Sequence, residues 1–233
     1  MVNARDMQPK RILSSTTVFA TALMLLAAGC TDLADSGVDC DAPVQLGENA
    51  IHNGGAEADE GTDGAVTEVS CWEHQEGCFT VMDYEEGYGG FQNAPPPNAG
   101  LSLFSGGASC DAGNSNSVGT QTLDSELDNI ADDIATGELT YDFSADLGGW
   151  EGQNDSATIT AAFLDASGSE LHVATLGPIS SDDRNGETGF LQRSASGDVP
   201  ADTESIEITF ASNKTGGSNN DGVADNISLV LNR

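Results

Sequence analysis

Between Leu139 and Leu147 every second residue is apolar: Leu139, Tyr141, Phe143, Ala145 and Leu147 alternate with Thr140, Asp142, Ser144 and Asp146. Successive side chains of a strand point to opposite faces, so this period describes a strand with one face on a core and one in water. After Gly148-Gly149-Trp150 the alternation resumes in Ala157, Ile159, Ala161 and Phe163. It turns through Asp165-Ala166-Ser167-Gly168-Ser169 and returns in Leu171, Val173 and Thr175, which predicts a hairpin. The remaining segments must supply the layer that covers this sheet.

Shorter apolar runs flank it. Strands are expected around Val66–Trp72 and Phe79–Tyr84, from Leu101, over Val118–Leu123, over Gly189–Ser194, through Ile206, Ile208 and Phe210, and finally through Ile227, Leu229 and Leu231. Leu127, Ile130 and Ile134 stand at helical spacing within Ser125–Thr136 and predict one short helix. The stretch Glu85–Gly100, with Pro95-Pro96-Pro97, reads as a long irregular or polyproline-like loop. About eight to ten short strands with Gly, Asn and Pro turns describe an all-β chain folded as an antiparallel β-sandwich or jelly roll. The absence of an internal repeat argues against a propeller or solenoid.

The start of the chain carries a different signal. Arg5, Lys10 and Arg11 precede an uncharged apolar run that stops at Leu26-Ala27-Ala28-Gly29-Cys30. This is the pattern of a signal peptide over residues 1–29, too short and too rich in Ser and Thr for a membrane span. Small residues before Cys30 resemble the lipobox of prokaryotic lipoproteins, whose cysteine is acylated and becomes the mature N-terminus. That resemblance implies a lipid-anchored protein of the cell envelope, and Thr31 after the cysteine points to the outer surface. Residues 30–45 read as an acidic tether and 46–233 as the folded domain.

Charge narrows the partners. With Arg5, Lys10, Arg11 and Asp6 removed, the 7 basic and 38 acidic residues of the whole chain fall to 4 and 37, for a net charge near −33. Such a surface repels nucleic acid and anionic membrane. It reads equally as adaptation to salty water or as a solubility bias. Four cysteines remain beside Cys30. In an exported chain they predict two disulfides, with Cys71–Cys78 and Cys40–Cys110 preferred among the three connectivities. Zinc on Cys71, His74 and Cys78 is a competing reading whose spacing matches no standard finger.

Asn53-Gly54-Gly55-Ala56-Glu57, Trp72 and the closing Asp225-Asn226-Ile227-Ser228-Leu229 resemble the first and last strands of galactose-binding-like β-sandwiches, the fold of many carbohydrate-binding modules. The segments Gln153-Asn154-Asp155, Asp183-Arg184 and Gln192-Arg193-Ser194 add to the likeness. It implies a structural calcium held by Glu57 and Asp225, whose hard oxygens suit that ion. Asn219 and Asp221, in an Asn/Asp-rich turn before Asp225, are further candidate calcium ligands. A glycan site needs aromatic faces beside amide, carboxylate or guanidinium groups. The candidates are Tyr84, Tyr88, Phe91, Trp150, Gln153 and Asn154, with Arg193 either facing such a groove or paired with an internal carboxylate.

Catalysis finds no motif. His52, His74 and His172 are dispersed, and neither Gly-x-Ser-x-Gly nor His-Glu-x-x-His occurs. The sequence therefore reads as a non-enzymatic surface lipoprotein that binds glycan or another extracellular polymer. The alternative is a structural or protein-protein interaction module without a sugar site.

Overall fold

A computed structural model describes residues 37–108 and 116–233. Its strands are β1 (Glu73–Glu76), β2 (Thr80–Asp83), β3 (Ser102–Ser105), β4 (Asn116–Leu123), β5 (Thr140–Gly149), β6 (Ser156–Leu164), β7 (Glu170–Leu176), β8 (Gly189–Asp198), β9 (Ser205–Asn213) and β10 (Val223–Asn232). They form two five-stranded antiparallel sheets, ordered β1-β4-β9-β6-β7 and β2-β3-β10-β5-β8. The chain is an all-β antiparallel sandwich.

The period-two pattern explains the core. Tyr141, Phe143, Ala145 and Leu147 of β5 are buried, as are Ala157, Ile159, Ala161 and Phe163 of β6. They meet Ile206, Ile208 and Phe210 of β9 and Leu229 and Leu231 of β10 in one apolar cluster between the sheets. Gly148-Gly149-Trp150 is where the chain passes from one sheet to the other, since β5 and β6 lie in different sheets. The helical spacing of Leu127, Ile130 and Ile134 becomes a 3-10 turn over Ser125–Ile130 followed by α1 (Ala131–Ile134), with all three side chains buried.

A second apolar cluster lies apart from the first. Met82, Leu103 and Val223 pack there with Tyr84 and Phe91, and Tyr88, Trp150 and Phe190 border it. It accounts for the loop over Glu85–Gly100: a 3-10 segment, Tyr88–Asn93, brings Phe91 to this cluster, where it is 1% exposed.

Several expectations are corrected. Val66–Trp72 holds a bridge between Val69 and Trp72 rather than a strand. The strand that follows, β1, reads Glu-His-Gln-Glu with every side chain exposed, so it has no apolar period to betray it. In β7 the register pairs Phe163 with His172, Ala161 with Ala174 and Ile159 with Leu176. Cross-strand partners share a face, so Ala174 and Leu176 are buried while Leu171 and Val173 are each 39% exposed, opposite in phase to the reading from sequence.

The cysteines pair differently too. Cys40 is bonded to Cys71, which overturns both preferred pairs, and Cys78 is disulfide-bonded as well. Sequence separation alone ignored that the Cys40 segment docks beside the Cys71 turn. Val44, in that segment, is 2% exposed, and its N–H donates to the Glu126 carbonyl. The last residues assigned to the tether therefore lie on the sandwich. The expectations for residues 1–29, Cys30 and Cys110 fall outside the described residues.

Candidate functional site

The loops at one end of the sandwich enclose a cleft of about 710 Å³. Trp150, Glu151 and Gln153 come from the β5–β6 connection, and Glu187 and Thr188 from the β7–β8 connection. Gly217, Ser218, Asn219 and Asp221 come from the β9–β10 connection, and Gly89, Gly90, Asn93 and Ala94 from the 3-10 segment after β2.

Two buried charged side chains hold these loops in place. Arg184, 5% exposed, donates from Nη1 to the carbonyls of Gly149 (2.8 Å), Glu151 (3.2 Å) and Glu187, and from Nη2 to that of Gln153 (3.0 Å). A planar guanidinium suits this work because its donors diverge in a fixed fork. Gly149 is required beside it, since a Cβ there would lie 2.7 Å from Nη2. Asp155, fully buried, does the complementary work: its carboxylate accepts from the N–H groups of Thr215, Gly216 and Asp221 and from the Thr215 hydroxyl. Arg184 thus gathers carbonyls of two connections and Asp155 gathers N–H groups of the third. Glu151 sits at φ +38, a left-handed conformation unusual for a side-chain-bearing residue and concentrated at functional loops.

The predicted glycan contacts divide. Trp150 and Gln153 line the cleft, where the half-buried indole lies beside the amides of Gln153, Asn93 and Asn219. Tyr84 and Phe91 are buried in the second apolar cluster and present no face to a ligand. Tyr88 packs against that cluster and donates its hydroxyl hydrogen to the Asn220 carbonyl at 2.8 Å, which ties the 3-10 segment to the β9–β10 connection. Asn154 accepts from the Ser181 N–H at 3.1 Å, outside the lining. Arg193 lies on β8 at the sheet edge and donates to the Gln192 carbonyl. Arg184, Asp155, Asn93 and Glu187 were not foreseen. Arg184 was detectable as one of the few cations in the chain.

The four expected calcium ligands occupy two places. Asn219 and Asp221 belong to the cleft. Burial and the neighbouring Asp155 push the Asp221 carboxyl up to about 6, with Lys214 and Arg184 acting against them. Glu57 and Asp225 lie elsewhere, both within 4 Å of where a Cβ on Gly55 would be. Glu57 accepts from the N–H groups of Leu101 and Ser102, packed so closely that a Cβ on Gly100 would clash with its carboxylate. Asp225, fully buried, accepts from the Tyr84 hydroxyl at 2.8 Å and from the Asn226 N–H at 2.6 Å. Across the strand pair Asp225 faces Asp146. Burial above all, then Glu57 and Asp146, push Asp225 up to about 7, while burial and then Asp225 itself, with Asp146 and Glu57 behind it, raise the Tyr84 phenol.

Glu57 and Asp225 fit a hard cation in their chemistry. They are one buried carboxylate, Asp225, and one exposed carboxylate, Glu57, with lone pairs remaining and no cationic side chain bonded to them among the described residues. Among those residues, however, no three His, Cys, Asp or Glu side chains gather as a metal centre, so further ligands would have to be backbone or water oxygens.

No family model matches the chain and no curated protein matches it. Among solved structures, the enzymatically active domain of bacteriophage CBA120 tailspike protein 4 is 16% identical, with a TM-score of 0.43, over 78% of this chain and 21% of its own. The chain thus spans about a fifth of that protein's length. The CBM22-1 xylan-binding domain from Paenibacillus barcinonensis is 11% identical, with a TM-score of 0.41, over 74% of this chain and 88% of its own. A family 16 carbohydrate-binding module is 18% identical, with a TM-score of 0.40, over 68% of this chain and 89% of its own. None of these scores reaches 0.5, and the fold stated above stands on the strand order of the chain itself.

Proposed function

We propose that this chain is a non-catalytic glycan-binding module, exported and held at the outer cell surface by an acylated Cys30. The observation that carries the reading is the cleft at the sandwich end. A half-buried indole, three amide side chains and the hydroxyls of Thr188 and Ser218 border one concavity, held open by the buried Arg184 and Asp155. Sugar rings present C–H faces that stack on indole and hydroxyls that pair with amides, so this lining suits them. Among the described residues no Lys, Arg or His lines the cleft, which favours neutral or cationic sugars over uronates and sulfated chains.

The same proposal includes a structural calcium ion on Glu57 and Asp225. Its contribution would be to neutralise the buried Asp225 and the acids near it, Glu57 and Asp146, joining the start of the domain to its last strand.

Binding to immobilised and soluble oligosaccharides, compared with Trp150→Ala, tests the function. The reading requires saturable binding that falls about tenfold or more in the variant, the scale of one lost stacking contact with its buried area. Binding unchanged by Trp150→Ala would overturn it, as would release of new reducing ends from the sugar. Labelled fatty acid should enter the parent chain in a bacterial host and not Cys30→Ser.

A further inference from the structure

Among the described residues the cleft is bordered by three carboxylates, Glu151, Glu187 and Asp221, and by no cationic side chain. Asp221 differs from the other two. It is 5% exposed, yet its carboxylate borders the cleft and accepts no hydrogen bond from any described residue, its backbone N–H being bound to Asp155. The charged groups that act on it are Asp155, Lys214 and Arg184. Arg184 donates to four backbone carbonyls and Lys214 Nζ to the Ser218 carbonyl at 2.8 Å, so neither cation is hydrogen-bonded to Asp221. Gln153 Oε1, from another residue of the lining, is a buried acceptor without a donor, whereas the Asp221 oxygens keep some access to the cleft.

A carboxylate at 5% exposure with no donor of its own is poorly solvated, and that costs more for a charged acceptor than for an amide. Burial and Asp155 already raise the proton affinity of Asp221, which is the response of a carboxylate short of positive charge. A ligand that brings a charged donor would therefore gain more here than one that brings only hydroxyls. Glu151 and Glu187 add attraction of the same sign. A metal ion is a poorer occupant, because these side chains do not gather as a metal centre.

We propose that the cleft selects a sugar carrying a free, protonated amine, whose ammonium docks against Asp221. The inference rests on the glycan-binding reading of the cleft and adds the class of sugar. A chain this acidic attracts any polycation, so the test uses short ligands and a distant control. Asp202 serves as that control: it is exposed and follows β8, whose far end pairs with Thr140, while the cleft lies at the Gly149 end of the same pairing.

Calorimetric titration of the intact chain with glucosamine dimers and trimers, their N-acetylated counterparts and neutral glucose oligomers, near 0.15 M salt, tests the proposal. The free-amine ligand should bind about tenfold tighter than its N-acetylated form, the worth of one charge-assisted hydrogen bond. Asp221→Asn should remove that preference, and Asp202→Asn should leave it intact. The comparison of ligands on the parent protein needs no variant, so a folding defect in Asp221→Asn cannot hide the answer. Equal binding of free-amine and N-acetylated ligands, abolished by Trp150→Ala, would overturn the amine inference and leave the glycan reading standing. Equal losses from Asp221→Asn and Asp202→Asn would show unspecific attraction and overturn it also. Absence of binding by all three sugars would overturn both readings.

Discussion

Arg184 and Asp155 decide whether the cleft exists, because Arg184 collects carbonyls from two connections and Asp155 ties its own connection to the N–H groups of a third. Arg184→Lys keeps the charge and loses the fork. It should destabilise the chain by about 2–4 kcal/mol in chemical denaturation and weaken ligand binding at the same time. Unaltered stability would contradict the role assigned to the guanidinium. Asp225 makes a different prediction. Its carboxyl rises from 3.8 in the unfolded chain to about 7 when folded. Between these values the folded protein keeps a proton that the unfolded chain has released, so unfolding stability falls as pH rises through that window. Asp221, raised to about 6, contributes with the same sign over a narrower range. In a calcium chelator, Asp225→Asn should flatten the fall between about pH 4 and 7; a slope equal to the parent's would contradict the burial of that charge. Residues of this kind were the least legible in the sequence. Trp150 and Gln153, singled out as the residue types that sugar recognition uses, line the cleft, whereas a buried cation bonded to carbonyls has no such signature in a sequence.

Among the elements, β5, β6, β9 and β10 were legible because one face of each is buried and the other wet. The edge strands were not. β1 is polar throughout, and β7 carries Leu171 and Val173 on its outer face, so the apolar residues of an edge pointed the wrong way. The corrected phase is testable: Leu176→Ala should cost about 2–5 kcal/mol as a buried large-to-small change. Val173→Thr should stay within about 0.5 kcal/mol, as exposed substitutions do. Equal costs, measured by denaturant midpoints, would restore the original phase. The Cys40–Cys71 bridge has a sequence separation of 31. Chain entropy gives about 3–4 kcal/mol for a loop of that size, so Cys40→Ser should lose an amount of that order. Cysteine pairing was illegible because it depends on which loops meet at the end of the sandwich, not on spacing along the chain.

At the scale of the molecule, 38 acidic residues stand against 7 Lys and Arg, for a net charge of −31. Among the described residues Arg233 with Asp133, at 2.6 Å, is the one ion pair, and it is exposed enough to contribute little. Self-repulsion should therefore set the salt response, with the melting temperature rising as sodium chloride screens the surface. Calcium at a hundred times its dissociation constant should stabilise the fold by about 2.7 kcal/mol and raise the melting temperature further than magnesium at equal ionic strength; equal shifts would contradict a specific site on Glu57 and Asp225. The proposal that the cleft binds glycan is tested most directly by heteronuclear NMR of side-chain N–H groups during titration with an oligosaccharide. The chain has two tryptophans, and Trp72 is packed against Phe79 and Phe104 in the core, an internal reference. The account predicts that the indole signal of Trp150 and the side-chain amides of Asn93, Gln153 and Asn219 shift together along one saturable curve while Trp72 stays still. Shifts confined to other surfaces, or none at saturating sugar, would contradict it.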